Sequence, residues 1–348
     1  MTNIIKSKIL LIYTGGTIGM KEDPETMALS PFEFNQILIE VPELKKIVHT
    51  IDTLSFEPPI DSSDINLDFW VDLAIKIKEE YLNYDGFVIL HGTDTMSFTA
   101  SALSFMINNL EKPIILTGSQ LPIGKLRTDG KENLISSIEI AASRDSIGRP
   151  IVPEVCIYFD NKLFRGNRTT KFSAENFKAF FSPNYPALAE SGIHIKFNKA
   201  YINYPKNWGN EIEIETSLNS SIAVIKLFPG ITPDYINAVL ETPNIRAVII
   251  ETFGSGNAPT SSWFISLIEK ACNKGILIVN ITQCLTGSVD MDAYSTGISL
   301  KKAGVIGGYD STFEAAICKL IFLMGKYHDN KHIKDIMTTN IKGEITFN

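Results

Sequence analysis

The stretch of residues 9–19, ILLIYTGGTIG, joins an apolar run to a turn rich in threonine and glycine. A second stretch of this kind, residues 87–96, has the sequence FVILHGTDTM. Apolar runs of this length and composition predict buried strands of a parallel sheet. Open α/β folds form their ligand crevices at the carboxyl ends of such strands, so hydroxyls, glycines and a carboxylate are expected there. The pattern indicates nucleophilic chemistry on a small polar substrate.

Strands and helices alternate through the first part of the chain, which predicts βαβ units around a parallel sheet. Strands are predicted at residues 9–13, 87–90, 113–116 and 155–159, and helices at residues 67–82, 96–110 and 132–142. From about residue 201 to 221 the pattern breaks into Asn, Pro, Trp, Gly and Glu, which indicates a linker.

A second alternating pattern follows this linker. Strands are predicted at residues 222–227, 247–250 and 276–279, and helices at residues 235–240, 261–272 and 312–323. The predicted fold class is therefore α/β, with two α/β domains that each contain a mainly parallel sheet flanked by helices. The predicted bounds are 1–200 for an N-terminal domain that carries the strand-end motifs, 201–221 for the linker, and 222–348 for a smaller C-terminal domain.

Charge and composition exclude several classes of function. The 348 residues carry a net charge of −7, whereas a nucleic-acid protein needs a basic surface. No apolar run approaches the roughly 20 residues of a membrane span, and the first residues lack a signal-peptide pattern, so we expect a cytoplasmic protein. The four cysteines form no CxxC pair and the five histidines no HExxH pair, so we expect no metal centre.

Each strand-end motif has a structural and a functional interpretation. The glycines of residues 14–19 do not match GxGxxG and could form a tight turn without a ligand, but the flanking hydroxyls favour a function, because Thr17 would have its side chain free to face a ligand. Residues 19–28 are polar and aperiodic, as in a surface loop or a lid. Residues 58–64 contain Asp61, which suits a helix cap or the ammonium group of an amino acid; the chemistry alone favours the cap.

The motif of residues 91–96 is harder to explain as a helix cap alone, because one cap does not need three adjacent polar side chains. Asp94 lies between Thr93 and Thr95, and a partly buried carboxylate requires a partner cation. Lys171, which follows a later strand, is a candidate for that partner. Most lysines are solvated surface residues, so it stays open whether Lys171 pairs with Asp94 or lies in solvent.

Together these segments resemble the bacterial-type L-asparaginases, and specifically their cytoplasmic type I branch. The resemblance is carried by seven segments in order along the chain: TGGTIG (14–19), DSSD (61–64), HGTDTM (91–96), TGSQLP (117–122), TK (170–171), GNAP (256–259) and TQCLTG (282–287). It implies an asparaginase-like fold and hydrolysis of L-asparagine to L-aspartate and ammonia without a metal or an organic cofactor. L-glutamine is expected to be a poorer substrate.

The resemblance also implies roles for individual residues. Thr17 matches the nucleophile that forms an acyl-enzyme, while Thr93, Asp94 and Lys171 match a second triad that handles protons. The residues that match the substrate-binding set are Asp61, Ser62, Ser63, Thr93, Asp94 and Asn257. Family members assemble as homodimers or dimers of dimers, in which a neighbouring subunit completes each site, and Asn257 matches the position that reaches across.

Two positions depart from the family pattern. Relatives often place an activating tyrosine in the loop after the first motif, but residues 20–34 contain none, and Phe32 and Phe34 have no hydroxyl. A tyrosine of the partner subunit, such as Tyr294, is a candidate for that role, and the activator of Thr17 stays open. Some type I members bind an activating asparagine through an arginine where this chain has Glu251. We therefore predict weak or absent activation by asparagine.

Two rival functions remain open on the sequence. One is the ammonia-donor subunit of a tRNA-dependent amidotransferase, which shares the motifs. That subunit has an extra N-terminal domain, and we expect no room for such a domain before Lys8 in this chain. The other is a sensor that binds amino acids without turnover, since a fold alone does not fix a function. The presence of Thr17, Thr93, Asp94 and Lys171 favours catalysis over the sensor.

Overall fold

The computed structural model describes residues 6–22, 29–31, 41–47, 49–293 and 295–347. The chain divides into two compact units between Ile214 and Glu215. This division lies inside the segment of residues 201–221 for which we predicted a linker. Within the described residues, none of the helices has the length and apolar character that crossing a membrane requires.

The first unit contains the larger sheet. Its helices are α1 Leu67–Glu80, α2 Met96–Met106 and α3 Gly130–Ala142. Its strands are β1 Lys8–Tyr13, β2 Met20–Glu22, β3 Leu29–Pro31, β4 Thr50–Ser55, β5 Gly86–Leu90, β6 Ile107–Asn108, β7 Ile114–Thr117, β8 Val155–Phe159, β9 Lys162–Arg165, β10 Thr170–Lys171, β11 Phe180–Phe181, β12 Ala189–Glu190, β13 Lys196–Phe197 and β14 Glu213–Ile214.

Eight of these strands form one mixed sheet in the order β13-β12-β9-β8-β7-β5-β1-β4. The five strands from β8 to β4 are parallel, as predicted for β1, β5, β7 and β8. Their central strands are completely buried, because helices cover both faces of a parallel sheet. No strand was predicted for β4, which is an edge strand with exposed side chains, or for the antiparallel strands β9, β12 and β13.

Strand register places three motif turns at one edge of this sheet. Leu90, the last residue of β5, is paired with Tyr13 at the end of β1 and with Thr117 at the end of β7. The chain therefore leaves all three strands at the same level. The turns that follow them begin at Thr14, His91 and Gly118.

The helix caps differ from the expected ones. Helix α1 is capped by Asn66, whose side chain accepts a hydrogen bond from the Phe69 amide, so the expectation that the preceding Asp and Ser residues cap α1 is wrong. Asp61 instead caps the short 3-10 turn Ser62–Asp64. Helix α2 begins after Thr95, whose side chain makes no capping hydrogen bond and donates to the Ser62 carbonyl instead.

The second unit contains a four-stranded parallel sheet in the order β15-β16-β17-β18. Its strands are β15 Ile222–Lys226, β16 Ala247–Thr252, β17 Leu277–Thr282 and β18 Ile306–Gly307, and its helices are α4 Pro233–Leu240, α5 Ser262–Asn273, α6 Ser295–Lys302, α7 Phe313–Lys326 and α8 Asn330–Met337. The predicted class of two α/β units with mainly parallel sheets is thus confirmed. Elements β18, α6 and α8 were not predicted.

A buried ion pair fixes the C-terminal segment of this unit. Lys319 and Glu344 have side chains that are 2% and 0% exposed, and they form a direct ion pair. The Lys319 ammonium also donates to the carbonyls of Met337 at 3.2 Å and Thr339 at 2.6 Å. Because all three ammonium hydrogens then have an acceptor, the buried charge is fully compensated.

Candidate active site

Close backbone packing joins the turn of residues 14–19 to the segment of residues 58–64 and to the motif of residues 91–96. Gly15 and Gly16 have φ angles of 139° and 89°, which other residues rarely adopt. A Cβ added to Gly16 would lie 2.5 Å from the backbone nitrogen and Cα of Gly92, and one added to Gly15 would collide with the Ile60 carbonyl. The motif is therefore a tight turn, and it brings the turn before Thr17 against residues 60 and 92.

Hydrogen bonds complete this junction. Thr14 donates from its backbone nitrogen and its hydroxyl to the Leu90 carbonyl, both at 3.0 Å, and accepts from the Ile60 amide at 2.8 Å. The Thr95 hydroxyl donates to the Ser62 carbonyl at 2.6 Å. Thr14 and Thr95 thus hold the backbone together. Thr17 lies in the short 3-10 turn Thr17–Gly19 and its side chain is half-buried.

Asp61 is held as an anion at the surface of this junction. Its carboxylate accepts hydrogen bonds from the backbone amide and the hydroxyl of Ser63, each at 2.9 Å. These two bonds lower the pKa of Asp61, since they stabilise the charged form. Asp61 and Ser63 are exposed, whereas Ser62 is buried beside Gly92. An exposed carboxylate fixed in this way is suited to accept an ammonium group.

The predicted pair of Lys171 with the second motif is present. The Lys171 ammonium donates to the Thr93 hydroxyl oxygen and to the Asp94 carboxylate, each at 2.8 Å. Lys171 is 17% exposed and Asp94 is 66% exposed, so the ion pair lies at the mouth of the site. Lys171 arrives from β10, which forms a two-stranded antiparallel hairpin with β11.

Gln120 contacts this cluster, although the sequence analysis assigned it no role. Its side-chain oxygen lies 3.4 Å from the Thr93 hydroxyl, and its side-chain nitrogen donates to the carbonyls of Ala174 and Asn176 at 3.1 Å each. Gln120 lies in the TGSQLP motif, so the family pattern contained a signal for this residue. The carboxylate of Asp129 accepts from the Gln120 backbone amide at 3.0 Å.

His91 was also missed as an individual residue. It is 1% exposed, and its Nδ1 lies 2.6 Å from the Gly92 carbonyl while its Nε2 lies 2.9 Å from the Thr99 hydroxyl. Since a carbonyl only accepts, Nδ1 carries the hydrogen, and Nε2 accepts from Thr99, which in turn accepts from the Trp70 indole at 3.1 Å. Burial lowers the pKa of His91 to about 4, so the imidazole is neutral.

The predicted residues of the second unit form contacts within that unit. Asn257 is half-buried, and its side-chain oxygen accepts from the Thr296 hydroxyl at 2.7 Å. The Glu251 carboxylate lies 3.9 Å from the Lys226 ammonium. Tyr294, Phe32, Phe34 and most of the proposed lid (residues 23–28) fall outside the described residues. In the part of the chain that the structure describes, no group of three His, Cys, Asp or Glu side chains is arranged to hold a metal ion.

The strand-end edge therefore combines two threonines, a lysine paired with a carboxylate, and an anchored aspartate. A hydroxyl group needs a neighbouring base or charged network to become reactive, and Lys171 and Asp94 give the Thr93 hydroxyl such a network. The fold and this site define the class of the protein as an α/β protein with threonine, lysine and carboxylate side chains gathered at the carboxyl ends of its parallel strands.

Comparison with known proteins identifies the family. Residues 8–203 match the family model described as asparaginase, N-terminal, and residues 221–337 match the glutaminase/asparaginase C-terminal domain. The chain belongs to the asparaginase family.

Individual relatives are similar over their full length. L-asparaginase 1 of Escherichia coli strain K12 is 42% identical over 344 residues, which are 98% of each chain. The crystal structure of L-asparaginase I from Vibrio cholerae matches with a TM-score of 0.89 at 39% identity, covering 98% of this chain and 100% of that one. The thermostable L-asparaginase from Thermococcus kodakarensis matches with a TM-score of 0.88 at 31% identity and the same coverage. The resemblance stated from the motifs is thus confirmed.

Proposed function

We propose that this protein hydrolyses the side-chain amide of L-asparagine to give L-aspartate and ammonia. The observation that carries the proposal is the contact of Lys171 with Thr93 and Asp94, both at 2.8 Å, in a member of the asparaginase family. A lysine on the solvated surface is not expected to bond to two side chains of one motif, here with Asp94 lying 77 residues away in the chain.

Thr17 is the proposed nucleophile. Its hydroxyl oxygen attacks the amide carbonyl carbon and forms a tetrahedral intermediate, whose collapse expels ammonia and leaves an ester of aspartate on Thr17. A water molecule then attacks the ester, which releases L-aspartate and restores the hydroxyl. The Lys171–Thr93–Asp94 cluster is proposed to move the protons of both steps, since a charged network of this type can activate a weakly acidic hydroxyl.

Preorganised donors are needed for the oxyanion that forms in each step. The Gly92 carbonyl is directed at the His91 ring, and in a trans peptide the Thr93 N–H points the opposite way. This orientation supports the proposal that backbone amides near Thr93 stabilise the oxyanion. It also agrees with a neutral His91 that orients the peptide and takes no part in proton transfer.

Substrate recognition is proposed to use the anchored loop of residues 61–63. Asp61 accepts the α-ammonium group of the substrate, with Ser62, Ser63, Thr93 and Asp94 completing the polar lining. L-glutamine is expected to react more slowly, since an added methylene displaces the carbonyl from Thr17. No cofactor is required.

The assembly is proposed to be a homodimer or a dimer of dimers, in which Asn257 of one subunit reaches the site of another. Under this proposal, residues 1–200 form the domain that carries the catalytic motifs and residues 222–348 form the smaller domain. We also propose that the enzyme is cytoplasmic, as the type I branch is.

The test is ammonia release from L-asparagine and L-glutamine by the purified protein and by Thr17→Ala. We expect the variant to lose roughly 10³-fold or more in kcat, as other enzymes do when their nucleophile is removed. Thr17→Ser retains a hydroxyl and should keep part of the activity, and Thr242→Ala, an exposed threonine in the second unit, is the matched control. Full activity in Thr17→Ala would refute the nucleophile assignment. Asparagine binding without turnover by the wild type would favour the sensor instead.

A further inference from the structure

The orientation of the Gln120 amide follows from its partners. One end of the amide lies 3.1 Å from the carbonyl oxygens of both Ala174 and Asn176. Carbonyl oxygens only accept, so this end must be the NH₂ group, and its two hydrogens are both used. The opposite end, facing the Thr93 hydroxyl at 3.4 Å, is therefore the oxygen.

This orientation also fixes the direction of the Thr93 hydroxyl. The Lys171 ammonium donates to the Thr93 oxygen at 2.8 Å, so the hydroxyl hydrogen of Thr93 must point elsewhere. The Gln120 oxygen is the acceptor in the direction that remains. In the resting site, Thr93 is thus held between a donor on one side and an acceptor on the other.

The hairpin that carries Lys171 is held by side chains from other segments. Strands β10 and β11 pair over only two residues each and form a separate two-stranded sheet. Isolated hairpins of this kind are marginally stable in water. The turn between the strands contains Ala174 and Asn176, whose carbonyls are the two that Gln120 holds. Strand β11 is anchored by buried Phe180, whose ring lies 5.0 Å from that of Phe159 in β8, so Gln120 adds a hold on the loop between the two strands.

Gln120 itself is held firmly. Both oxygens of the Asp129 carboxylate accept from its backbone amide, at 3.0 and 3.1 Å, and one of them also accepts from the Leu121 amide at 3.2 Å. Asn133, which is 3% exposed, donates to Asp129 at 3.3 Å and to the Gly118 carbonyl at 3.0 Å. These hydrogen bonds tie the loop that contains Gln120 to the start of helix α3, so the backbone from which the Gln120 side chain extends is held in place.

We propose that Gln120 is a positioning residue that clamps the Lys171 hairpin to Thr93 and sets the direction of the Thr93 hydroxyl. This inference rests on the proposed function, because it assigns Gln120 a part in aligning the Lys171–Thr93–Asp94 cluster. Errors of about 1 Å in the alignment of catalytic groups are costly in rate, so loss of the clamp should reduce kcat more than it changes KM.

The experiment compares Gln120→Met and Gln120→Glu with the wild type. Methionine has a similar length but neither donates to the carbonyls nor accepts from Thr93. Glutamate keeps an oxygen for Thr93 but turns an oxygen towards the carbonyls of Ala174 and Asn176, which repels them. The matched control is Gln283→Met, since Gln283 also donates its NH₂ group to two backbone carbonyls, at 2.7 and 2.9 Å, in the second unit.

Two measurements are made on each protein. Steady-state kinetics with L-asparagine should show a loss of about tenfold or more in kcat for both Gln120 variants, with KM changed less than about threefold. Hydrogen exchange followed by mass spectrometry should show faster exchange in residues 172–179 for both Gln120 variants. Gln283→Met should leave exchange in this segment at the wild-type rate, and its melting temperature shows what loss of a similar clamp costs in stability.

The outcomes separate the inference from the proposed function. Wild-type exchange in residues 172–179 of both Gln120 variants, or a wild-type kcat in Gln120→Glu, would overturn the clamp. A wild type that releases no ammonia from asparagine would refute the proposed function, while the exchange measurement would still test the clamp. If Gln120→Met does not fold, the exchange and kcat of Gln120→Glu alone test the clamp, because glutamate keeps the size and polarity of glutamine.

Discussion

Replacing His91 with glutamine should change how the stability of the protein depends on pH. His91 is 1% exposed and its pKa is lowered to about 4 by burial. In the unfolded chain a histidine has a pKa of about 6.5. Between these two values the unfolded state binds a proton that the folded state excludes, so acid favours unfolding. The stabilisation is complete above pH 6.5 and is lost progressively as the pH falls towards 4.

The size of the effect follows from the two pKa values. Their difference of about 2.5, at 1.36 kcal/mol for each unit, corresponds to about 3 kcal/mol of unfolding free energy over this pH range. The glutamine side chain of His91→Gln does not titrate, so the variant should lack this contribution. The substitution also changes the hydrogen bonds to Thr99 and to the Gly92 carbonyl, but that change is the same at every pH and does not alter the slope.

The assay is urea unfolding of both proteins at a fixed protein concentration, from pH 7.5 down to pH 4. Carboxylates contribute equally to both curves, so the difference between the curves isolates His91. Replacing the exposed His328 with glutamine controls for the loss of one imidazole from the chain. Parallel curves for the wild type and His91→Gln would refute the assignment of a neutral, buried imidazole.

Further predictions concern the ion pairs and the substrate site. Lys319→Met should destabilise the protein by about 3–5 kcal/mol in urea unfolding, because it leaves Glu344 buried without its cation, and a change below about 1 kcal/mol would contradict this. Lys171→Met should lower kcat by about 10²–10⁴-fold with little change in unfolding, since Asp94 is exposed and keeps its hydration; an active variant would remove Lys171 from the mechanism. Asp61→Asn should mainly raise KM, by about tenfold, and unchanged KM would exclude its role towards the ammonium group. The rate curve with asparagine should be hyperbolic, given Glu251, and a clearly sigmoidal curve with a second bound asparagine would show that activation survives.

The central parallel strands were predicted well from the sequence because buried strands produce uninterrupted apolar runs. Strands β5 and β8 were predicted to within one residue of their observed bounds. Strand β4 was missed because its side chains alternate between exposed and half-buried positions and form no apolar run. Helix α2 ends at Met106, four residues before its predicted end, since the chain enters β6 and pairs with β14, a long-range contact that local sequence does not reveal.

The site was predictable where the motif residues themselves carry the chemistry. Lys171 was placed beside Thr93 and Asp94 from residue types and family motifs, and the structure brings these side chains together. Gln120 and His91 act through partners in other segments, and their contacts depend on the course of the chain between them. Sequence alone provides no distance between Gln120 and Asn176, so the clamp could be found only in the structure.

The packing of Gly15 and Gly16 against Ile60 and Gly92 has a consequence for directed evolution of this enzyme. No side chain fits at Gly15 or Gly16, so libraries that randomise these two positions should return only glycine among folded clones. Exposed positions that this backbone supports, such as Ser63, accept other side chains without this collision. The packing of these glycines thus separates backbone positions that cannot vary, Gly15 and Gly16, from side-chain positions such as Ser63 on which selection can act.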